Sequence, residues 1–114
     1  MKFYTFTQNN SGGSFVNDTQ SGLGHFTIIE AENAKQANII AQSIGIYFDG
    51  CDKDLDCSCC GDRWYEVDEN DGYDEPKIYY KKASEHYDMF NAGCYIHYQN
   101  GKIESIDTYK NKEK

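Results

Sequence analysis

Polar and aromatic positions alternate from Lys2 to Thr7, with Phe3 and Phe6 on either side of Tyr4, and this pattern predicts a first strand. Gln8-Asn9-Asn10-Ser11-Gly12-Gly13-Ser14 is a loop by composition. Phe15-Val16 predicts a short second strand, and Asn17 to Gly24 is again a polar, glycine-containing loop. His25 to Ala31 predicts a longer strand, with Phe26, Ile28 and Ile29 as its apolar content. Helical spacing follows at Ala34, Ala37, Ile40, Ala41 and Ile44. Asn33 is the expected N-cap, Gln36 its capping-box partner and Gly45 the stop, so a helix is predicted over Asn33–Ile44. Its alanines let it lie close against a sheet.

The second half is less regular. Arg63–Val67 reads as a short strand, Asp68–Pro76 as an acidic loop and Ile78–Tyr80 as extended chain. Ala83–Phe90 reads as a short helical turn. Cys94–Tyr98 and Lys102–Ile106 alternate around Asn100-Gly101, the sequence signal of a hairpin. The chain from Thr108 onward is polar and reads as a frayed tail. The sum is a single α+β domain over residues 1–114. It has an antiparallel sheet, one main helix packed on one face and a C-terminal hairpin.

Composition narrows the function classes. Nineteen acidic residues against eleven basic ones give a formal net charge of −8. A field of that sign repels phosphate backbones, so direct binding of DNA or RNA is not expected. No run of about 18 apolar residues exists, which excludes a membrane helix. The first residues lack the basic-then-apolar layout of a signal peptide. The expected compartment is therefore intracellular and reducing, where clustered cysteines are metal ligands or free thiols more often than disulfides.

Four of the five cysteines, Cys51, Cys57, Cys59 and Cys60, lie within ten residues. Zinc favours four tetrahedral thiolate or imidazole ligands, usually as two Cys-x(2–4)-Cys pairs. Cys57 and Cys60 provide one such pair. Cys51 is the candidate third ligand, with His25, His86, His97 or Cys94 to complete a structural zinc site. The plainer alternative is reduced, half-buried thiols. Redox catalysis ranks lower, because no helix is predicted directly after the cysteines and Asp49, Asp52, Asp54, Asp56, Asp62 and Glu66 raise thiol pKa values. Asp52-x-Asp54-x-Asp56 opens like a calcium loop but has Cys57 where glycine is needed and Arg63 where glutamate is needed, so it reads as a solvated acidic loop.

Asp62, Arg63 and Tyr65 form a second candidate group. The Arg guanidinium is a planar donor fork for phosphate or carboxylate. On a strand, Arg63 and Tyr65 share a face, while Trp64 points the other way into the core. A bland alternative pairs Arg63 with Asp62 or Glu66. The loop residues Asn9, Asn10, Ser11, Gly12 and Gly13 can offer amide side chains and a backbone anion nest to a sugar, base or phosphate edge. No Gly-Lys-Ser/Thr ending exists, so this is not a P-loop. The three histidines are scattered, His97 reads as a strand surface residue, and no catalytic constellation stands out.

Two stretches resemble a family of small uncharacterised bacteriophage accessory proteins. They are Met1-Lys2-Phe3-Tyr4-Thr5-Phe6 with Gln8-Asn9-Asn10-Ser11-Gly12-Gly13, and Tyr47-Phe48-Asp49-Gly50 with Asp56-Cys57-Ser58-Cys59-Cys60-Gly61-Asp62-Arg63-Trp64-Tyr65. The resemblance implies a factor made in the cytoplasm of an infected bacterial host cell, acting against host defence. Joined to the polar loops and abundant Tyr, it leads to the expectation of a non-enzymatic binding protein. Such a protein sequesters a small nucleotide-type ligand, as a homo-oligomer. Two alternatives stand beside it. One is an inhibitor that docks an acidic surface on a host defence protein, and the other a small metal-dependent nucleotide hydrolase or lyase.

Overall fold

A computed structural model of the chain describes residues 1–10 and 13–110. Five strands form one sheet in the order β3-β1-β2-β6-β7. They are β1 (Lys2–Thr7), β2 (Phe26–Ala31), β3 (Gly72–Tyr73), β6 (Cys94–His97) and β7 (Ile103–Ser105). β4 (Lys77–Ile78) and β5 (Lys81–Lys82) make a separate small ribbon. Helix α1 (Ala34–Ser43) follows β2. The fold is α+β, and among the described residues no helix is long and apolar enough to cross a membrane.

β1 and β2 pair antiparallel, with Lys2 opposite Ala31 and Thr7 opposite Phe26. β6 and β7 also pair antiparallel, but β2 and β6 run parallel, with Phe26 beside Cys94 and Ile29 beside His97. The expected antiparallel sheet is therefore antiparallel-dominated with one parallel pair. No short turn joins β2 to β6, and a long crossover leaves their relative direction free of any turn signal. β2 is buried on both faces, as strands in parallel pairs commonly are.

Alternation along the strands sorts the core into two clusters. Tyr4, Phe6, Ile29 and Ala31 meet α1 through Ala34, Ala37 and Ala41, with Phe48, Trp64 and Val67 closing that side. Phe26, Ile28, Cys94 and Ile96 point to the other face and are covered by Ile78 and Ala83. The alanines of α1 carry out the close approach that their size permits.

The helix boundaries match the caps. The Asn33 side chain accepts from the Gln36 N–H at 2.8 Å, and Gly45 follows the C-cap Ile44 with φ +115°. Gln36 does not return to Asn33; its side chain accepts from the Glu32 N–H at 2.7 Å, one residue earlier. The C-terminal hairpin has a three-residue loop. The Gly101 N–H donates to Tyr98 O at 2.9 Å, the Tyr98 N–H donates to Lys102 O at 2.8 Å, and Gly101 takes φ +94°. This is a type I turn followed by a left-handed residue, which glycine adopts without strain.

Three expected elements differ. Phe15-Val16 is not a strand; the Val16 backbone bonds the side chain of Gln8 at both its N–H and its carbonyl. Arg63–Val67 belongs to no sheet, and the backbone groups at its two ends are bonded elsewhere. The Arg63 N–H donates to Asp56, the Arg63 carbonyl accepts from Asn9, and Val67 exchanges two bonds with the Asn38 side chain at 2.9 and 3.0 Å. Ala83–Phe90 shortens to a 3-10 turn over Ala83–Glu85, and Tyr79 and Tyr80 adopt left-handed φ of 50° and 70° instead of continuing a strand. At the C-terminus, Thr108 is buried and its carbonyl accepts from the Asp88 N–H, so the chain is still packed where the tail was expected to begin.

Ile28 is fully buried between the sheet and Ile78. Ile28→Ala is expected to cost about 3 kcal/mol in urea denaturation. Asn38→Ala removes both bonds to Val67 and is expected to cost about 1–2 kcal/mol. An unchanged urea midpoint for Asn38→Ala would show that the Arg63–Val67 segment is held by other means.

Candidate functional site

The amide-rich loop and the cysteine segment meet through Gln8, which follows β1. Gln8 is buried, and every polar position of its side chain is engaged. Its Nε2 donates to Val16 O at 3.0 Å and to Gly24 O at 2.9 Å. Its Oε1 accepts from the Val16 N–H at 2.6 Å and from Arg63 Nη1 at 2.8 Å. Arg63 Nη1 also donates to Ser14 O at 2.8 Å, and Arg63 Nε lies 3.7 Å from Asp56 Oδ1.

Asp56 is the far end of this clamp. Its side chain is fully buried, so it is not the solvated acid that the sequence pattern implies. It accepts from the Tyr47 hydroxyl at 2.7 Å and from the Arg63 N–H at 2.8 Å. Burial, then the bond to Asp56, raises the pKa of Tyr47 above its ordinary value. A Cβ on Gly50 would stand 1.9 Å from Asp56 Oδ2, so the loop closes over the carboxylate only with glycine there. Arg63 thus pairs with Asp56 and not with Asp62 or Glu66.

The other sequence-selected residues are placed as follows. The Asn9 N–H donates to Arg63 O at 2.8 Å, and Asn9 Nδ2 donates to Cys60 O at 2.9 Å and Asp62 O at 3.2 Å. The Asn10 carbonyl accepts from Gly13, which is exposed at φ +87°. Ser11 and Gly12 lie outside the described residues. Asp62 Oδ1 accepts from the Cys51 N–H at 2.9 Å, and this bond lowers its carboxyl pKa. Trp64 is buried and Tyr65 is exposed. The two stretches converge, but Arg63, Asn9 and Asp62 spend these bonds on one another's segments.

The thiols are sorted more narrowly than the spacing implied. Cys57, Cys59 and Cys60 place their sulfurs within 4.8 Å of one another, and this trio can hold a metal ion. Cys57 and Cys59 Sγ are 2.7 Å apart, and Cys59 and Cys60 Sγ 3.7 Å. Cys51 is not part of the trio. Its Sγ donates to Cys57 O at 3.5 Å, and a bond to Asp62, then burial, pushes its thiol up to about 11. Hydrogen bonds from Cys59, through its thiol and then its N–H, with lesser ones from Cys60, bring Cys57 down to about 7. The same contact raises Cys59 to about 11. Of the other proposed ligands, His25 Nδ1 bonds Asp88 at 2.9 Å and His97 Nε2 donates to Gly22 O at 2.8 Å. His97 is buried and not on the strand surface. Cys94 is buried in the second core cluster, and burial pushes its thiol up to about 12.

Beside this clamp, along the outer edge of β1, lies a cleft of about 300 Å³. Tyr65, Tyr73, Tyr79 and Tyr80 line it, with Thr5 and Thr7 from β1 and Lys77 from β4. Tyr79 and Tyr80 are 65% and 83% exposed, far more than core aromatics. Lys77 Nζ sits 5.6 Å from the Tyr73 ring centroid, and the Tyr73 and Tyr80 rings meet edge to face at 6.1 Å. Glu66 and Asp71 also border it. Of the residues selected from the sequence, Tyr65 lines this cleft. Tyr73, Tyr79 and Tyr80 were missed because their signal, three tyrosines in the Tyr73–Tyr80 stretch, is also what strand propensity produces. A second cavity of about 260 Å³ is bordered by Glu75, Lys82, Tyr98 and Glu104.

Fold and site together define a small α+β domain with a clamped thiol loop next to a tyrosine-lined cleft. The chain belongs to the family described as a domain of unknown function, DUF7296, whose model matches residues 1–113. No curated protein and no solved structure matches it.

Two outcomes follow from this geometry. Asp56→Ala strips a buried partner from Arg63 and Tyr47 and is expected to cost about 3 kcal/mol in urea denaturation; a loss below about 1 kcal/mol would show that the carboxylate does not hold the loop. The lowered pKa of Cys57 means that its thiolate accumulates as pH rises through about 7 and is quenched below it. Alkylation of the metal-free protein by iodoacetamide should therefore have a first midpoint near pH 7, moved upward in Cys59→Ala. A single midpoint near the ordinary thiol value of 9.0 would contradict the sulfur contacts.

Proposed function

We propose that this protein is a non-enzymatic binding protein that sequesters a flat, nucleotide-type ligand in the tyrosine cleft. The single observation that carries the reading is the set of exposed rings, Tyr65, Tyr79 and Tyr80, around a concavity of about 300 Å³. Aromatic walls with a few polar groups suit a base, and covering bare apolar surface is worth roughly 25 cal/mol per Å². The Thr7 hydroxyl supplies a hydrogen-bonding group, while the Thr5 hydroxyl donates to Lys77 O and tethers β4 to β1; Lys77 is the cation among the cleft's lining residues. With Glu66 and Asp71 nearby, the cleft favours the base and ribose over a run of phosphates.

The left-handed backbone at Tyr79 and Tyr80 supports the same reading. Such positions are uncommon for bulky residues and gather where function holds them. The resemblance to bacteriophage accessory proteins supplies the setting: an infected bacterial cytoplasm, where capture of a nucleotide signal blunts host defence. Gln8, Arg63 and Asp56, bonded to one another, form a flank of the cleft and are not ligand contacts in this reading. For the cysteine trio we propose zinc, held by Cys57, Cys59 and Cys60 to fix the thiol loop.

Calorimetry against nucleosides, cyclic nucleotides and ADP-ribose tests the reading. A ligand of about 20 heavy atoms at roughly 0.3 kcal/mol per atom corresponds to a Kd of tens of micromolar. Tyr65→Ala and Tyr80→Ala are each expected to weaken binding by at least about fivefold, since stacking on one ring is worth roughly 1–3 kcal/mol. Both side chains are exposed, so folding should be unchanged. No heat with any of these ligands, or equal binding by both variants, would remove the reading. A second reading, an inhibitor docked through Tyr79, Tyr80 and the adjacent acids, is favoured by their exposure; it predicts a salt-sensitive protein partner and no nucleoside binding.

A further inference from the structure

We propose that Cys57, Cys59 and Cys60 form an open zinc site, with three thiolates from this chain and a fourth, neutral ligand from outside it. The inference rests on the zinc reading above and goes beyond it, because an open corner makes the ion a point of attachment and not only a staple.

The local backbone is arranged for such an ion. The Cys60 and Gly61 N–H groups both donate to the Cys57 carbonyl at 3.1 Å, closing a tight turn across the Cys57-Ser58-Cys59-Cys60 run. Gly61 takes φ +87°, which turns the chain away directly after the last sulfur. Asn9 Nδ2 fixes the turn from outside through Cys60 O and Asp62 O.

The sulfur geometry is close to that of an ion. Zn–S bonds of about 2.3 Å at tetrahedral angles set S···S edges of about 3.8 Å. Cys59 and Cys60 are already at 3.7 Å. Cys57 and Cys59, at 2.7 Å, need to part by about 1 Å, a side-chain rotation for an exposed and a half-buried thiol.

Nothing among the described residues supplies the fourth corner. The trio is the whole of the cluster of Cys, His, Asp and Glu ligand atoms there. Cys51 Sγ is turned to the Cys57 carbonyl, His25 is bonded to Asp88, His86 packs edge-on to Phe26 at 5.1 Å and is outside the cluster, His97 is bonded to Gly22 O, and Cys94 is in the core. Cys59 and Cys60 are exposed, so an outside ligand can reach the ion.

Charge selects that ligand. Three thiolates on a dication leave one negative charge, in a loop that already carries Asp49, Asp52, Asp54 and Asp62. A fourth thiolate would make the site doubly negative in the same field. A neutral nitrogen donor adds nothing to that charge. The fitting ligand class is thus an imidazole, as in a histidine of a partner protein, exchanging with water.

The test uses the full chain, reduced and loaded with Co²⁺ as a spectroscopic stand-in for Zn²⁺. The expected result is one Co²⁺ per chain, displaced by Zn²⁺, with X-ray absorption reading three sulfurs. Added imidazole should shift the visible bands of the bound Co²⁺. Cys51→Ser should leave the spectrum unchanged, while Cys59→Ser and Cys60→Ser should each lower affinity by more than about tenfold. Circular dichroism of the metal-free variants controls for folding. Four sulfurs, a loss of one in Cys51→Ser, or bands indifferent to imidazole would overturn the open corner while leaving zinc in place. No Co²⁺ or Zn²⁺ uptake at excess ion would overturn both.

Discussion

The hydrogen-bonded line from Gln8 through Arg63 to Asp56 is the constraint on which the site-bearing half of the molecule depends. Gln8 is buried at the end of β1 with no polar position left open. Arg63 brings a charge to it, and Asp56 balances that charge from inside the neighbouring loop. A buried amide or carboxylate left without partners is costly, so each member holds the others. Through this line a segment that belongs to no sheet, Arg63–Val67, is tied to the end of β1 and to the cysteine loop. Trp64 is thereby turned into the core and Tyr65 out to the cleft.

The same constraint explains why the most chemically suggestive residues are structural. Arg63 carries a donor fork suited to phosphate, yet its donors serve Gln8, Ser14 and Asp56. Asn9 offers an amide suited to a sugar, yet it serves Cys60 and Asp62. What this arrangement leaves for outside molecules is different in kind: exposed tyrosine rings and exposed thiols.

Much of the fold was legible because it rests on local rules. β1, α1 with its Asn33 cap, and the hairpin at Gly101 follow from alternation, capping chemistry and turn chemistry. The misses share a cause. Phe15-Val16 and Arg63–Val67 have strand composition, but the Gln8, Asn38, Asn9 and Asp56 groups take their backbone bonds first, and neither alternation nor propensity reports a side chain elsewhere in the chain that will claim a backbone group. The parallel β2–β6 pair was hidden for the same reason. At the site, the cysteine cluster announced itself by density, whereas Asp56 was masked by its acidic neighbours and the tyrosine cleft by ordinary strand propensity.

Amide hydrogen exchange on Arg63→Gln tests the clamp most directly, because the variant keeps a donor but removes the charge that Asp56 balances. The account predicts that protection falls together in Gln8 and Val16 and in Leu55–Arg63, while β2 and β6 keep theirs. Protection that is unchanged, or that falls evenly across the sheet, would contradict it.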